Sequence, residues 1–229
     1  MTFAIAHRGL SASHRENSLA AIEAALAHVP VVEVDVRCTR DGVAVCTHDG
    51  SLERAYGVPG MVGQLDLAAL RAAAPDIATL EQVLDVKVTR PRAIAAIEDA
   101  VGRSRIAWND GRQLRRGEPI DPRSATFQSA DAQLLQLVRS RTGAGCVELV
   151  RGDSTARELV LGAPLITTYA QGVTIPDLLA TRGMLRVLRG LRLGSYVYTV
   201  NVQDRYDTLE LAGASGVYTD AVDRIGSSG

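Results

Sequence analysis

Two carboxylates stand inside an apolar stretch of the chain. Residues 31–36 read VVEVDV, so Glu33 and Asp35 interrupt a run of valines that has the composition of a buried strand. Because side chains alternate along a strand, both carboxylates lie on the same face. Two buried carboxylates repel each other, and a hard divalent cation relieves that repulsion because carboxylate oxygens are its preferred ligands. The spacing therefore predicts a metal site, whereas the plainer alternative is a hairpin whose polar residues face water.

Two histidines follow short apolar segments and have charged neighbours. His7 ends the segment 3–6 and precedes Arg8, while a turn at Asp41-Gly42 folds the chain so that His48 returns toward the carboxylates. Imidazoles exchange protons near neutral pH, and the forked donors of arginine suit a phosphate. A single histidine in such a position is more often structural, but two that converge on a carboxylate pair predict acid–base catalysis. We therefore expect His7 and His48 to be catalytic and Arg8 to bind substrate.

Short apolar segments alternate with helical patterns along the chain. Strands are predicted near 3–7, 31–37, 93–98, 123–128, 145–150, 164–168, 195–200 and 215–219. Helices are predicted near 18–28, with Asn17 or Ser18 as the N-cap, and near 65–73, 79–87, 130–141, 154–161, 176–190 and 203–212. This alternation predicts an α/β fold, a (β/α)8 TIM barrel with a short hairpin inserted after the second strand. Functional side chains of such a barrel lie at the carboxyl ends of its strands.

Length and composition exclude several classes of protein. The 229 residues predict a single barrel domain over 1–225 and a disordered tail over 226–229. A formal net charge of −1 argues against nucleic-acid binding by bulk electrostatics. Cys38, Cys46 and Cys146 have no CxxC spacing, which indicates neither a disulfide framework nor a zinc site. No signal-peptide pattern precedes the first strand and no apolar run approaches the ~20 residues of a membrane span, so we expect a cytoplasmic enzyme of unspecified oligomeric state.

A series of ordered motifs resembles the glycerophosphodiester phosphodiesterase family. These motifs are HRG at 7–9, ENS at 16–18, EVDV at 33–36, T-x-DG at 39–42, HD at 48–49, SLER at 51–54, TLEQVL at 79–84, YTVN at 198–201 and GVYTD at 216–220. The resemblance implies hydrolysis of glycerophosphodiesters to glycerol 3-phosphate and an alcohol, with one divalent cation, Mg²⁺ or Ca²⁺, and histidine acid–base catalysis. In such enzymes the glycerol 2-hydroxyl can act as the nucleophile and give a cyclic phosphate that water opens. The resemblance also implies an active-site role for Glu16, and it places Tyr198 where the family has tryptophan, either packing or lining the substrate pocket.

The third metal ligand is the weakest part of this resemblance. The family's third strand usually ends in E-x-K, and residues 93–98 match it best, which makes Glu98 the third ligand and leaves Ala100 where lysine is expected. A rival alignment uses Asp85-Val86-Lys87, which contains the only lysine of the chain. In a third alternative, Pro91 opens a helix and Glu98 is a solvated residue on it.

Two other functions remain compatible with the sequence. An enzyme of the same fold could act on another phosphodiester, such as a lysophospholipid or a biosynthetic intermediate. The departures from the family pattern at Ala100 and Tyr198 favour such a change of substrate. A catalytically silent barrel could instead serve as a binding module. The substrate expected in either enzymatic case is a small-molecule phosphodiester.

Overall fold

The computed structural model describes residues 2–85, 92–97, 125–143 and 145–226. Its strands are β1 (Phe3–His7), β2 (Val31–Cys38), β3 (Ala44–Cys46), β4 (Arg92–Ile97), β5 (Ala125–Ser129), β6 (Gly145–Leu149), β7 (Gly172–Pro176), β8 (Gly194–Tyr198) and β9 (Gly216–Thr219). Its α-helices are α1 (Leu19–Leu26), α2 (Glu53–Tyr56), α3 (Leu67–Ala73), α4 (Leu80–Asp85), α5 (Ala132–Thr142), α6 (Ala156–Ile166), α7 (Arg182–Gly190) and α8 (Gln203–Ala212). Short 3₁₀ turns cover Val62–Gln64 and Asp177–Leu179.

The strands of the described residues form one curled sheet. Its order is β1-β9-β8-β7-β6-β5-β4-β2-β3, and every neighbouring pair is parallel except β2 with β3. β1 also pairs with β2, with His7 opposite Glu33. A single sheet edge therefore gathers the carboxyl ends of strands that are far apart in the sequence.

The faces of β2 show how the sheet sorts its side chains. Val32, Val34 and Val36 belong to the main hydrophobic core, which includes buried residues of the helices. Because side chains alternate along the strand, Glu33 and Asp35 point to the opposite face of the sheet. Burial of the valines thus determines where the two carboxylates point.

The segment between β1 and α1 packs closely against the helix. Ser18 is the N-cap of α1, and its Oγ accepts a hydrogen bond from Ala21 N at 3.1 Å. Gly9 has a φ of +82°, and a Cβ at this position would lie 2.6 Å from the carbonyl carbon of Ala21. Only glycine therefore permits this approach, which sets the path of the loop that carries Arg8 and Glu16.

One predicted strand is wrong. Residues 164–166 belong to α6, and the strand predicted at 164–168 lies instead at Gly172–Pro176. A capping box between Thr155 and Glu158 starts α6, and Leu159, Ala163 and Ile166 are buried at helical spacing. A short apolar run is compatible with either a strand or a helix. Here the burial at helical spacing identifies the segment as a helix.

The helix predicted at 176–190 is also divided, into the 3₁₀ turn at Asp177–Leu179 and α7. The other seven predicted strands agree with the observed bounds to within two residues.

The structure bears on two of the three alternatives for the third metal ligand. Residues 92–97 form β4, so the alternative in which Pro91 opens a helix is wrong. Asp85 is the last residue of α4, whereas the rival alignment requires it to lie at the end of a strand. Glu98, Ala100 and the last three residues of the tail lie outside the described residues.

No helix in the described part of the chain is long and apolar enough to cross a membrane.

Candidate active site

A cavity of about 380 Å³ opens where several strands end. Among the predicted site residues, it is lined by His7, Arg8, Glu33, Asp35, His48 and Tyr198. Its other lining residues are Gln128, Leu149, Arg151, Gly152, Thr174, Thr199 and Tyr218. Glu16 instead lines a neighbouring cavity that shares His7 and Arg8 with this one. The structure thus brings together side chains that the sequence separates by almost the whole chain.

The carboxylate pair is buried and held in place. Glu33 and Asp35 expose 2% and 3% of their surface. Glu33 Oε2 accepts a hydrogen bond of 3.1 Å from the backbone N of Arg8. Asn17 binds Asp35 twice, because its Nδ2 donates to Asp35 Oδ2 and its Oδ1 accepts from Asp35 N, both at 2.9 Å. Both carboxylates are therefore oriented by groups from the loop after β1.

Arg8 contacts the carboxylates from an unusual backbone conformation. Its φ is 61°, in the left-handed region that non-glycine residues seldom adopt and that clusters at functional sites. Arg8 Nε lies 2.9 Å from Asp35 Oδ2 as an ion pair, although its angle is not that of a hydrogen bond. Arg8 Nη1 donates to Glu16 Oε2 at 3.1 Å. Burial opposes the charge, but Asp35, Glu16 and Glu33 outweigh it and raise the pKa of Arg8.

His7 is paired with an aspartate from the last strand of the sheet. His7 Nδ1 lies 2.7 Å from Asp220 Oδ1. Asn201 Nδ2 donates to Asp220 Oδ2 at 2.7 Å, and Ser11 Oγ donates to Asp220 Oδ1 at 3.1 Å. Burial alone would raise the pKa of Asp220, but the hydrogen bonds from His7 and Asn201 lower it to about 2. An ionised Asp220 accepts a hydrogen bond from Nδ1–H, which leaves Nε2 of the imidazole available for proton exchange.

His48 has a similar partner. Its Nδ1 lies 2.7 Å from Asp49 Oδ1, and its carbonyl accepts a hydrogen bond of 2.6 Å from Arg37 Nε. Burial opposes ionisation of Asp49, but hydrogen bonds from His48 and Arg54 lower the pKa of this carboxyl. Both catalytic candidates therefore face an ionised carboxylate at Nδ1.

Arg54 joins the two histidine-bearing segments. Its Nε donates to Asp49, while Nη1 and Nη2 donate to Glu16 at 2.9 and 2.5 Å. Since Glu16 also accepts from Arg8, an unbroken chain of charged groups runs from Arg8 to His48. These hydrogen bonds raise the pKa of Arg54.

Neutral polar groups line another part of the 380 Å³ cavity. Gln128 Oε1 accepts hydrogen bonds from Thr174 Oγ1 at 2.5 Å and from Tyr218 Oη at 2.8 Å. Tyr198 lines the cavity and also donates its hydroxyl to Val150 O at 2.8 Å, so it combines the packing and lining roles that the sequence left open. Arg151 adds a cation on the loop after β6.

Sequence reasoning missed several of these residues. Asn201, Asp220 and Arg54 occur in the motifs at 198–201, 216–220 and 51–54 but received no role. For Asp220 a signal existed in the sequence. Asp220 directly follows the last strand, just as His7 and Arg8 lie at the end of the first strand. No comparable signal marks the contact of Asn17 with Asp35, since these two residues are distant in the sequence.

The two carboxylates fit part of the ligand set of a hard cation. Both present oxygen atoms to the same cavity, and oxygen is the ligand that Mg²⁺ and Ca²⁺ prefer. Over the described ranges, no three His, Cys, Asp or Glu side chains cluster closely enough to hold a metal ion by themselves. Glu98, the predicted third ligand, follows Ile97 directly in the sequence, and Ile97 pairs with Val36 of β2.

Comparison with known proteins identifies similar chains. A segment of 70 residues is 49% identical to the Mycobacterium tuberculosis protein named "Probable glycerophosphodiester phosphodiesterase 1" and covers 30% of this chain and 26% of that relative. A segment of 66 residues is 41% identical to a lysophospholipase D of Mus musculus and covers 28% of this chain and 20% of the mouse protein. The matched segments thus span about a quarter or less of these relatives.

A solved structure resembles the whole fold. The Oleispira antarctica phosphodiesterase in complex with the product sn-glycerol-3-phosphate has a TM-score of 0.83 and 19% identity, and the match covers 97% of this chain and 94% of that one. At this identity the likeness shows a shared fold. The sequence profile of the glycerophosphoryl diester phosphodiesterase family matches residues 7–224, and the chain therefore belongs to this family.

Proposed function

We propose that this protein is a metal-dependent phosphodiester hydrolase that cleaves glycerophosphodiesters to glycerol 3-phosphate and an alcohol. One observation carries the proposal: His7, His48, Arg8, Glu33 and Asp35 line a single cavity. Family membership supports the reaction class, and the solved Oleispira phosphodiesterase is described as holding this product.

Glu33 and Asp35 would hold the divalent cation, Mg²⁺ or Ca²⁺, with Glu98 as the third ligand. Such a cation, when bound, supplies positive charge that stabilises the phosphate oxygens in the transition state. Arg8 and Arg151 bring further positive charge to the same cavity. Glu16 orients Arg8, with which it shares a hydrogen bond, and Tyr198 lines the substrate pocket.

The two histidines divide the proton transfers. One imidazole removes the proton of the nucleophile, proposed to be the glycerol 2-hydroxyl, and the other protonates the departing alkoxide. Water then opens the cyclic phosphate. Asp220 and Asp49 hold Nδ1 of His7 and His48, so each imidazole presents its other nitrogen for proton exchange.

The architecture proposed for this reaction is a single domain over 1–225, in which eight parallel strands close into a (β/α)8 barrel. Pairing of β1 with both β9 and β2 supports closure. The antiparallel pairing of β3 with β2 supports a hairpin insertion. Closure would place all strand ends of the site around one opening.

Alanine at either histidine tests the acid–base assignment. His7→Ala and His48→Ala should each lower kcat on a glycerophosphodiester by about 10²- to 10⁴-fold, because a positioned proton donor or acceptor contributes that much. Isothermal titration should show that the metal still binds. His28→Ala, in the exposed turn after α1, is the matched control. Near-wild-type rates in either variant would show that the assignment is wrong.

A lysophospholipid is the second candidate substrate, favoured by the similarity to the mouse lysophospholipase D. Rates on a panel of glycerophosphodiesters and lysophospholipids, each with Mg²⁺ and with Ca²⁺, separate the two substrate classes. A silent binding module would hydrolyse none of them and would give no tight metal binding by titration.

A further inference from the structure

We propose that the alcohol arm of the substrate lies in a second cavity beside the catalytic one, and that Arg224 selects alcohols that carry negative charge. This inference rests on the proposed phosphodiesterase function. It concerns which diesters react, and it assigns a specificity role to a residue outside the catalytic cavity.

The second cavity has a volume of about 570 Å³ and meets the catalytic cavity at His7 and Arg8. Its other lining residues include Ser11 after β1, Asn201 after β8 and Arg224 after β9. A phosphodiester has two organic arms that leave phosphorus in different directions. Two cavities that share His7 and Arg8 can therefore receive one arm each, with the phosphate between them.

The chemistry decides which arm enters which cavity. The catalytic cavity offers neutral hydrogen-bonding side chains, Gln128, Thr174 and Tyr218, which suit the hydroxyls of glycerol. As the new bond from the nucleophile to phosphorus forms, the bond from phosphorus to the alcohol oxygen breaks. The alkoxide takes a proton from His7, while His48 takes the proton of the nucleophile. His48 lines the catalytic cavity and not the second one, whereas His7 lines both. The nucleophile is therefore assigned to the catalytic cavity with His48, and the alcohol that His7 protonates to the second cavity.

The two carboxylates of the second cavity already have partners. Glu16 accepts hydrogen bonds from Arg8 and Arg54, and Asp220 accepts hydrogen bonds from Asn201 and Ser11 and pairs with Nδ1 of His7.

Arg224 is different from these groups. Its nearest carboxylate is the neighbouring Asp223 at 3.6 Å, and 68% of its side chain is exposed. Among the described lining residues, its guanidinium is the cation that no carboxylate matches at hydrogen-bond distance. An alcohol bearing a carboxylate or phosphate complements this charge, and one bearing a quaternary ammonium does not.

The test compares glycerophosphodiesters whose alcohol arms differ in charge. Glycerophospho-N-acetylserine carries one carboxylate, glycerophosphocholine carries one ammonium, and glycerophosphoglycerol is the neutral reference. Wild type should prefer the carboxylate arm over the ammonium arm by kcat/KM at low salt. Arg224→Glu should reduce this ratio by about tenfold, chiefly through KM, since reversing a charge near the surface acts on both substrates in opposite directions. Arg224→Lys should keep the ratio above that of Arg224→Glu.

Arg186→Glu is the matched control, because Arg186 is an exposed residue of α7 and its reversal changes the net charge equally. A ratio that stays within about twofold of wild type in Arg224→Glu, while diesters are still cleaved, would overturn the specificity role. An equal change in Arg186→Glu would also overturn it, because net charge would then be the cause. Failure of the wild type to cleave any diester with Mg²⁺ or Ca²⁺ would instead contradict the proposed function.

Discussion

The contact between His7 and Asp220 resembles that of a catalytic histidine oriented by a carboxylate. Asp220 holds the imidazole at Nδ1 and is itself held by Asn201 and Ser11. Such a carboxylate determines the tautomer and the orientation of the ring and stabilises the imidazolium, without touching the substrate. We therefore expect Asp220 to be a positioning residue.

Replacing Asp220 by asparagine should lower kcat by about 10²-fold with little change in KM, because substrate contacts remain while the imidazole loses its ionised partner. Steady-state kinetics on a glycerophosphodiester measures both constants. Asp223→Asn provides the control, since this neighbouring carboxylate contacts Arg224 and not His7. If Asp220→Asn raised KM and left kcat intact, Asp220 would contribute to binding and not to orientation.

At the residue scale, sequence reasoning works where a contact depends on local periodicity. Glu33 and Asp35 share a face because side chains alternate along β2, and that rule needs no tertiary information. The contacts of His7 with Asp220 and of Asp35 with Asn17 depend on how distant strands and loops meet. No local sequence pattern predicts those two contacts.

The short helix α2 links two elements of the site. It carries Arg54, which bridges Glu16 on the loop after β1 and Asp49 on the loop after β3. An exposed ion pair contributes at most about 1 kcal/mol to stability. We therefore expect this bridge to act mainly by fixing the positions of Arg8 and His48 relative to each other.

Arg54→Gln should lower kcat by about tenfold and leave the unfolding midpoint nearly unchanged, because half of its side chain is exposed and the link is geometric. Arg54→Lys should recover only part of the rate, since an ammonium cannot form the fork to Glu16 and Asp49 together. Kinetics and thermal unfolding of both variants measure these effects. A large loss of stability with normal kcat would show that Arg54 serves folding instead.

At the element scale, the alternation of strands and helices was predictable because buried strands and amphipathic helices have different periods. The error at 164–168 arose where that signal fails, since the apolar run there is compatible with both periods. The helical capping box at Thr155 and Glu158 and the buried face of α6 resolve it.

The whole molecule also contains a half-buried carboxylate that does not line the cavity of the proposed active site. Glu148 lies on β6, and its Oε2 has no hydrogen-bond partner among the described residues. Burial raises the pKa of Glu148 to about 7, opposed by a hydrogen bond from Tyr169 and reinforced by Asp131. In the unfolded chain this carboxyl returns to an ordinary value near 4.5.

Because its folded pKa is the higher one, Glu148 contributes stability fully below about pH 4.5, and that contribution is lost as the pH rises through about 7. Glu148→Gln removes the titration, so the decrease in the free energy of unfolding between pH 5 and pH 8 should become smaller by about 1–2 kcal/mol, after allowance for partial exposure. Urea unfolding at several pH values measures it. Glu23→Gln, at an exposed position of α1, should leave the profile unchanged. A Glu148→Gln profile parallel to that of wild type would show that this carboxyl ionises normally in the folded protein.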